Sequence, residues 1–350
     1  MAMTFGELLI SVGTGHLVAL PGSRAARTLA AGSTSPRLVP APDEICARLI
    51  ALAAAELDQG PGACWDGAVL TLLFPTDAPR DPAVPGPGGP VEEVATPAEL
   101  LRAVSAARSA GTHEIRLRPT FPLDTPLPDA VPLQDTTFPA PVTHVTATPG
   151  VTADNADNAA DNPISRRLAE IVGTLAAQDE APLTPARAAA DLAETLPTSG
   201  FVVAEAGPAG LWIEHAMRPA HGRVRVLRAG GPVALAGALL AGLHGDIGVA
   251  VVEDPPVGPA ATLLHLASAL DVDLVVEVWG QRGGLRRAAD HRQRLRAALR
   301  GHGVRVIEVP VDFTSTKLLV DALTDDTEDA LSAKDSVDAG KHQAKLRSQQ

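Results

Sequence analysis

Hydrophobic positions in the second half of the chain come in short, nearly continuous runs. Val, Ile and Leu dominate at Phe201–Ala204, Val224–Leu227, Ile247–Val252, Leu274–Trp279 and Val304–Val309. Runs of this length without polar alternation predict strands covered on both faces. Between them the pattern turns helical. A helix over Ile164–Gln178 leads in, and Thr184-Pro185 caps another to about Leu196. Others are expected near Gly210–Met217, over 232–243 and 259–270, in an arginine-rich stretch ending at Arg300, and over Ser315–Leu323. Strand–helix alternation at this spacing predicts a doubly wound parallel sheet. Such sheets bind ligands at the carboxyl ends of their strands. Three turns fall there: Arg228-Ala229-Gly230-Gly231, Glu253-Asp254-Pro255-Pro256 and Gly280-Gln281-Arg282-Gly283-Gly284.

The first half is less regular. Leu17–Leu20 reads as a strand, followed by the turn Pro21-Gly22-Ser23. Pro42–Leu57 reads as a helix, apolar nearly all round and so buried. Ala68–Phe74 has strand length and character, and 75–90 is too rich in Pro and Gly for regular structure. Thr96-Pro97-Ala98-Glu99 opens a helix to about Ala110, with Thr as N-cap, Pro at the first position and Glu two residues later. Glu114–Leu117 is the next strand. The small, polar stretch with three Asp-Asn pairs predicts a flexible linker. The division is thus 1–143 as a shortened α/β domain, 144–163 as linker, 164–324 as a second α/β domain and 325–350 as a polar tail.

Composition narrows the function. With 45% hydrophobic residues the chain can bury a core, and a formal charge of −12 argues against a general nucleic-acid binder. Cys46 and Cys64 form neither a CxxC pair nor a disulfide framework. The opening MAMTFGELLISVG lacks a basic segment, and the longest apolar stretch, Pro232–Leu243, is 12 residues, too short to span a bilayer. A cytoplasmic protein without membrane association is the expectation.

A diphosphate held through a divalent cation needs a carboxylate, one or two further oxygen donors, and free backbone N–H groups at a helix start. The second half offers Gly230-Gly231 ahead of a small-residue helix, Asp254 one strand on, and Gln281 with Gly283 a helix and a strand later. Asp254 and Gln281 are 27 positions apart, and Gly283 lies two beyond. This series resembles the cofactor-binding half of thiamine-diphosphate enzymes of the decarboxylase and acetolactate-synthase group. The segment Leu20-Pro21-Gly22-Ser23-Arg24, followed by Glu44 heading an alanine-rich helix, resembles their pyrimidine-binding half, most nearly that of the menaquinone-pathway carboligase. The resemblance implies two sheets of the thiamine-diphosphate-binding fold, both doubly wound and parallel. It implies metal ligation by Asp254, Gln281 and the backbone of Gly283, cofactor contacts from Gly230, Gly231 and Leu235, and Glu44 on the pyrimidine ring as the catalytic acid. Ser23 and Arg24 would meet a small 2-oxo acid substrate. The implied cofactors are thiamine diphosphate and Mg2+. The implied assembly is a homo-oligomer, dimer or tetramer, with the cofactor between subunits.

The sequence also departs from that pattern. Glu253 and Pro255 stand where the family has glycines, Gln281 stands for asparagine, and the middle domain is absent. Proline has no N–H to offer a phosphate. Three readings therefore stand side by side: a thiamine-diphosphate-dependent decarboxylase or carboligase, a degenerate relative that partners an active paralogue in a hetero-oligomer, and an unrelated phosphate- or nucleotide-binding α/β protein. Asp254 is a ligand in the first and an acidic cap in the others. Glu44 is likewise catalytic or an ordinary acid at a helix start. The six arginines of 285–300 read as a solvated face, with an anionic substrate or partner surface as the alternative, and the ten histidines carry no assignment.

Overall fold

The computed structural model describes residues 5–22, 36–66, 69–74, 91–110, 114–118, 163–217, 224–227, 230–280 and 283–324. The expected linker and tail, Ser23, Arg24 and Gln281 lie outside them.

In the first half, α1 (Phe5–Ser11) and β1 (His16–Ala19) are followed by β2 (Arg37–Pro40), α2 (Glu44–Asp58), β3 (Gly62–Trp65), β4 (Leu70–Leu73), β5 (Val91–Val94), α3 (Pro97–Ala110) and β6 (Glu114–Leu117). The strands form one sheet in the order β2-β1-β3-β4-β6-β5. The expected all-parallel sheet is corrected here, because β4 runs antiparallel to both β3 and β6. Only Asp66–Val69 separates β3 from β4, and Asp66 N–H bonds Val69 O across the gap at 3.3 Å. So short a link permits a hairpin; a parallel pair needs a crossover of roughly a dozen residues. α3 starts as the sequence predicts, with Thr96 Oγ1 accepting from Glu99 N–H and the Glu99 carboxylate reaching back to the N–H groups of Ala95 and Thr96.

In the second half, α4 (Pro163–Ala176) and α5 (Pro185–Thr195) lead into β7 (Gly200–Glu205), α6 (Pro208–Met217), β8 (Val224–Leu227), α7 (Gly231–Leu243), β9 (Ile247–Val252), α8 (Pro259–Ala269), β10 (Leu274–Gly280), α9 (Ala288–Arg300), β11 (Val304–Pro310) and a last helix over 316–324. All pairs are parallel, in the order β11-β10-β9-β7-β8. The predicted parallel sheet is present here, each strand within two residues of its expected position.

Strand alternation sorts the side chains into layers. Leu17, Ala63, Trp65, Leu72 and Ile115 turn toward α1 and α3. Val202, Ala204, Val249, Val251 and Val275 turn toward α5, α6 and α9. The remaining faces of both sheets meet in one core, where α2 from the first half packs along α7 from the second. Leu49 and Ile50 of α2 and Leu235 and Leu239 of α7 are all at most 3% exposed. Each such side chain contributes roughly 1.5–3 kcal/mol by leaving water. A glycine in each sheet lets its helix settle. A Cβ on Gly62 would lie 1.8 Å from Ala51 O of α2, and one on Gly248 would lie 2.1 Å from Ala238 O of α7. No helix among the described residues is long and apolar enough to cross a membrane.

Candidate functional site

Counted within its own sheet, the strand order of the second half is the 2-1-3-4-5 arrangement. Its topological switch point lies between the carboxyl ends of β7 and β9. Chains leaving neighbouring strands part in opposite directions at such a point, which is where open α/β sheets have their ligand crevice. Two helices begin beside it. α7 starts at Gly231 behind the N-cap Gly230, and α6 starts at Pro208.

The last residue of β7, Glu205, fills the space in front of α7. Its carboxylate accepts the backbone N–H of Gly231, the first residue of that helix, and the N–H of Glu253. A Cβ on Gly231 would stand 3.0 Å from Glu205 Oε2. Glu253, just past β9, turns the other way. Its Oε1 accepts the N–H of Ala209, in the first turn of α6, at 2.9 Å, and a Cβ on Gly207 would stand 2.5 Å from it. Each glutamate therefore occupies a helix N-terminus, where free N–H groups and the helix dipole favour negative charge.

Burial pushes the Glu205 carboxyl up to about 7, against the N–H groups it accepts and with help from the Glu253 and Asp254 charges. Burial also raises Glu253, and Asp254 adds to the effect. Two carboxyl groups thus stand at the switch point, each with its proton affinity raised by limited solvation and by neighbouring carboxylates.

The other residues singled out from sequence spread around this point. Asp254 is exposed beside Glu253 and ahead of Pro255. Gly283, at φ +133°, lies against the end of β11, where a Cβ would meet Pro310 Cδ at 2.7 Å and Glu308 O at 2.8 Å. Leu235 is 1% exposed, inside the core shared by the two sheets. Glu44 is exposed in the first turn of α2, which Asp43 caps by accepting Cys46 N–H at 2.7 Å. Among the described residues, no group of three or more His, Cys, Asp or Glu side chains is arranged to hold a metal ion.

The fit to thiamine diphosphate can be tested on these atoms. A diphosphate at this sheet needs the N–H groups of the helix starts, and Glu205 and Glu253 each accept one of them, from Gly231 and Ala209. Its charge would meet two carboxylates, and Pro255 offers no donor. Among the described residues, the two helix starts at the switch point do not fit the group.

A second cluster lies within the same half, at residues to which the sequence pattern assigns no role. His291 of α9 is fully buried between two fully buried carboxylates, with Nδ1 3.0 Å from Asp191 Oδ2 and Nε2 3.1 Å from Glu277 Oε1. Arg187 and Arg292 both donate to Asp191 Oδ1 at 2.7 Å, and Trp279 Nε1 donates to Glu277 Oε2 at 2.9 Å. Every carboxylate oxygen has a donor. Burial alone would lower the His291 pKa, but the Glu277 and Asp191 carboxylates overcome it and lift it to about 9. The imidazolium has no free nitrogen for a ligand, so this cluster holds elements together. Arg292 therefore leaves the solvated face expected of its helix, and Arg296 reaches Glu194 at 2.9 Å.

No protein-family model matches the chain, and no curated protein matches it by sequence. Among solved structures, it is similar to a protein isolated from Mycobacterium smegmatis that is provisionally described as a thiamin diphosphate-dependent enzyme. The two are 12% identical with a TM-score of 0.34, over 88% of this chain and 63% of the other, so the chain spans less than two thirds of that protein's length. What the geometry supports by itself is an α/β protein with one mixed and one parallel sheet.

Proposed function

We propose that this chain is a non-catalytic relative of the thiamine-diphosphate enzymes, which serves as a structural or regulatory partner and not as a lyase or carboligase. The relationship rests on the spacing of Gly230-Gly231, Asp254, Gln281 and Gly283 along the sequence. The loss of chemistry rests on one observation: the carboxylates of Glu205 and Glu253 stand on the two helix N-termini that open at the switch point. An anionic cofactor gains its hold from such N–H groups. Here the protein supplies the anions itself, and the same argument disfavours a phosphate or nucleotide ligand. Calorimetry of the purified chain with thiamine diphosphate and Mg2+ tests this. No saturable heat is expected up to about 1 mM cofactor, and binding tighter than that overturns the reading.

One observation favours the active alternative. A carboxyl group titrating near 7 at a switch point has the proton affinity of a general acid or base. Under that reading the chain turns over a 2-oxo acid with cofactor present, and Glu44→Gln abolishes turnover while leaving affinity largely intact. Turnover unaffected by Glu44→Gln removes Glu44 from the mechanism.

A further inference from the structure

The seam between the halves is apolar along α2 and α7, but its end is polar. Asp58 closes α2, and His244 follows the last residue of α7. His16, from β1, stands between them. Its Nδ1 is 3.0 Å from Asp58 Oδ2 and its Nε2 is 2.8 Å from His244 Nε2, with the two rings perpendicular. Arg37, from β2, completes the chain of contacts. One guanidinium nitrogen lies 3.1 Å from His244 Nδ1, and another donates to Leu243 O at the carboxyl end of α7.

One set of proton positions satisfies all of these contacts. A guanidinium can only donate, so His244 Nδ1 carries a lone pair. His244 Nε2–H then donates to His16 Nε2, and His16 Nδ1–H donates to Asp58. Both imidazoles are neutral. We propose that Asp58, His16, His244 and Arg37 form an acid-released latch between the two halves of the chain. Protonating His244 at Nδ1 places an N–H against the Arg37 donor and a cation beside the guanidinium. The Arg37 contact with His244 then has to break, and with it the carboxyl end of α7 loses its donor from Arg37.

The groups facing His244 come from every side. They are His16 from β1, Arg37 from β2, Asp58 from the end of α2, and Asp246 from the turn after α7. Desolvation of the ring and the Arg37 guanidinium hold its pKa below the ordinary 6.5, and Asp58 and Asp246 oppose them. A histidine depressed in the closed state binds protons more readily when the seam opens. The closed seam is therefore at full strength above the ordinary value and weakens as pH falls below it.

Hydrogen exchange on the full chain tests the latch, read in peptides from α2 and α7 with peptides from α5 and α9 as internal controls. From about pH 7.5 to about pH 5, after correction for the intrinsic rate, exchange in α2 and α7 should rise about threefold or more relative to the controls. His244→Gln keeps a donor toward His16 and an acceptor toward Arg37 but does not titrate, so it should abolish the rise. Arg37→Leu removes the clashing donor, so it should raise seam exchange at neutral pH and shrink the acid response. An acid response of equal size in His244→Gln, or one spread evenly over the control helices, overturns the proposal.

Discussion

His291 and His244 each hydrogen-bond through both ring nitrogens, yet the fold holds them in opposite charge states. His291 faces a carboxylate on each side and is an imidazolium. His244 faces a guanidinium on one side and a neutral imidazole on the other, and is neutral. Both are set by partners that can act only one way, a carboxylate only as acceptor and a guanidinium only as donor. Their positions differ as well. The His291 cluster ties α5, β10 and α9 together inside one half, and the His244 cluster ties one half to the other. The first is built to persist, and the second can give way.

The largest expected effect comes from breaking the first. His291→Leu leaves Asp191 and Glu277, both fully buried, without their shared cation. Loss of one partner from such a network costs about 3–5 kcal/mol, measurable as a lower urea midpoint. The wild-type protein should also show an alkaline limb. A histidine whose folded pKa is about 9 contributes stability that is complete below its ordinary value of 6.5 and is lost as pH rises through about 9. That limb should vanish in His291→Leu. If it persists, another group sets it.

The two strand glycines test whether the halves are one cooperative unit. Gly248→Ala places a Cβ against Ala238 O, and Gly62→Ala places one against Ala51 O. Both carbonyls belong to helices of the shared core, so each helix must move off its sheet, at about 1–3 kcal/mol or more. A continuous core predicts that both variants lower one common unfolding transition, followed by tryptophan fluorescence. Two separate transitions, each sensitive to one glycine, would mean that the halves fold apart.

The same contrast explains what was legible in the sequence. The strands of the second half are buried on both faces, so they stand out as unbroken apolar runs, and their helices fall between them. In the first half, β5 is Val-Glu-Glu-Val and β2 is Arg-Leu-Val-Pro. Both are four-residue edge strands whose charges and proline suit an exposed edge and hide the strand from pattern reading. The β3–β4 hairpin leaves little trace in the sequence, because Gly62-Ala63-Cys64 offers little side-chain signal. The histidine clusters were invisible for a different reason. His291 lies 100 positions from Asp191, and His16 lies 228 from His244. Only the packing of helices on sheets brings them together. At the switch point, Glu253 was legible as a charge out of place, but its direction was not. It reaches the start of α6, a neighbour fixed by strand order. Glu205 carried a weak local signal, an acid closing an apolar run two residues before a Gly-Pro helix start.

The smallest expected effect concerns those two glutamates, and it tests whether the crevice is filled as described. Glu205 is held near 7 by burial first, and the Glu253 and Asp254 charges raise it further against two accepted N–H groups. Glu253→Gln removes one of those charges and leaves the residue 253 N–H that Glu205 accepts. The Glu205 midpoint, followed by side-chain carboxyl carbon shifts, should therefore move down from about 7 and remain above the ordinary 4.5, because burial is untouched. A midpoint that does not move means that the two carboxyls do not share the crevice. One that falls to the ordinary value means that burial is not its main cause. Either result would count against two half-buried carboxyls filling the switch point together, and so against the reading that they stand where an anionic ligand would bind.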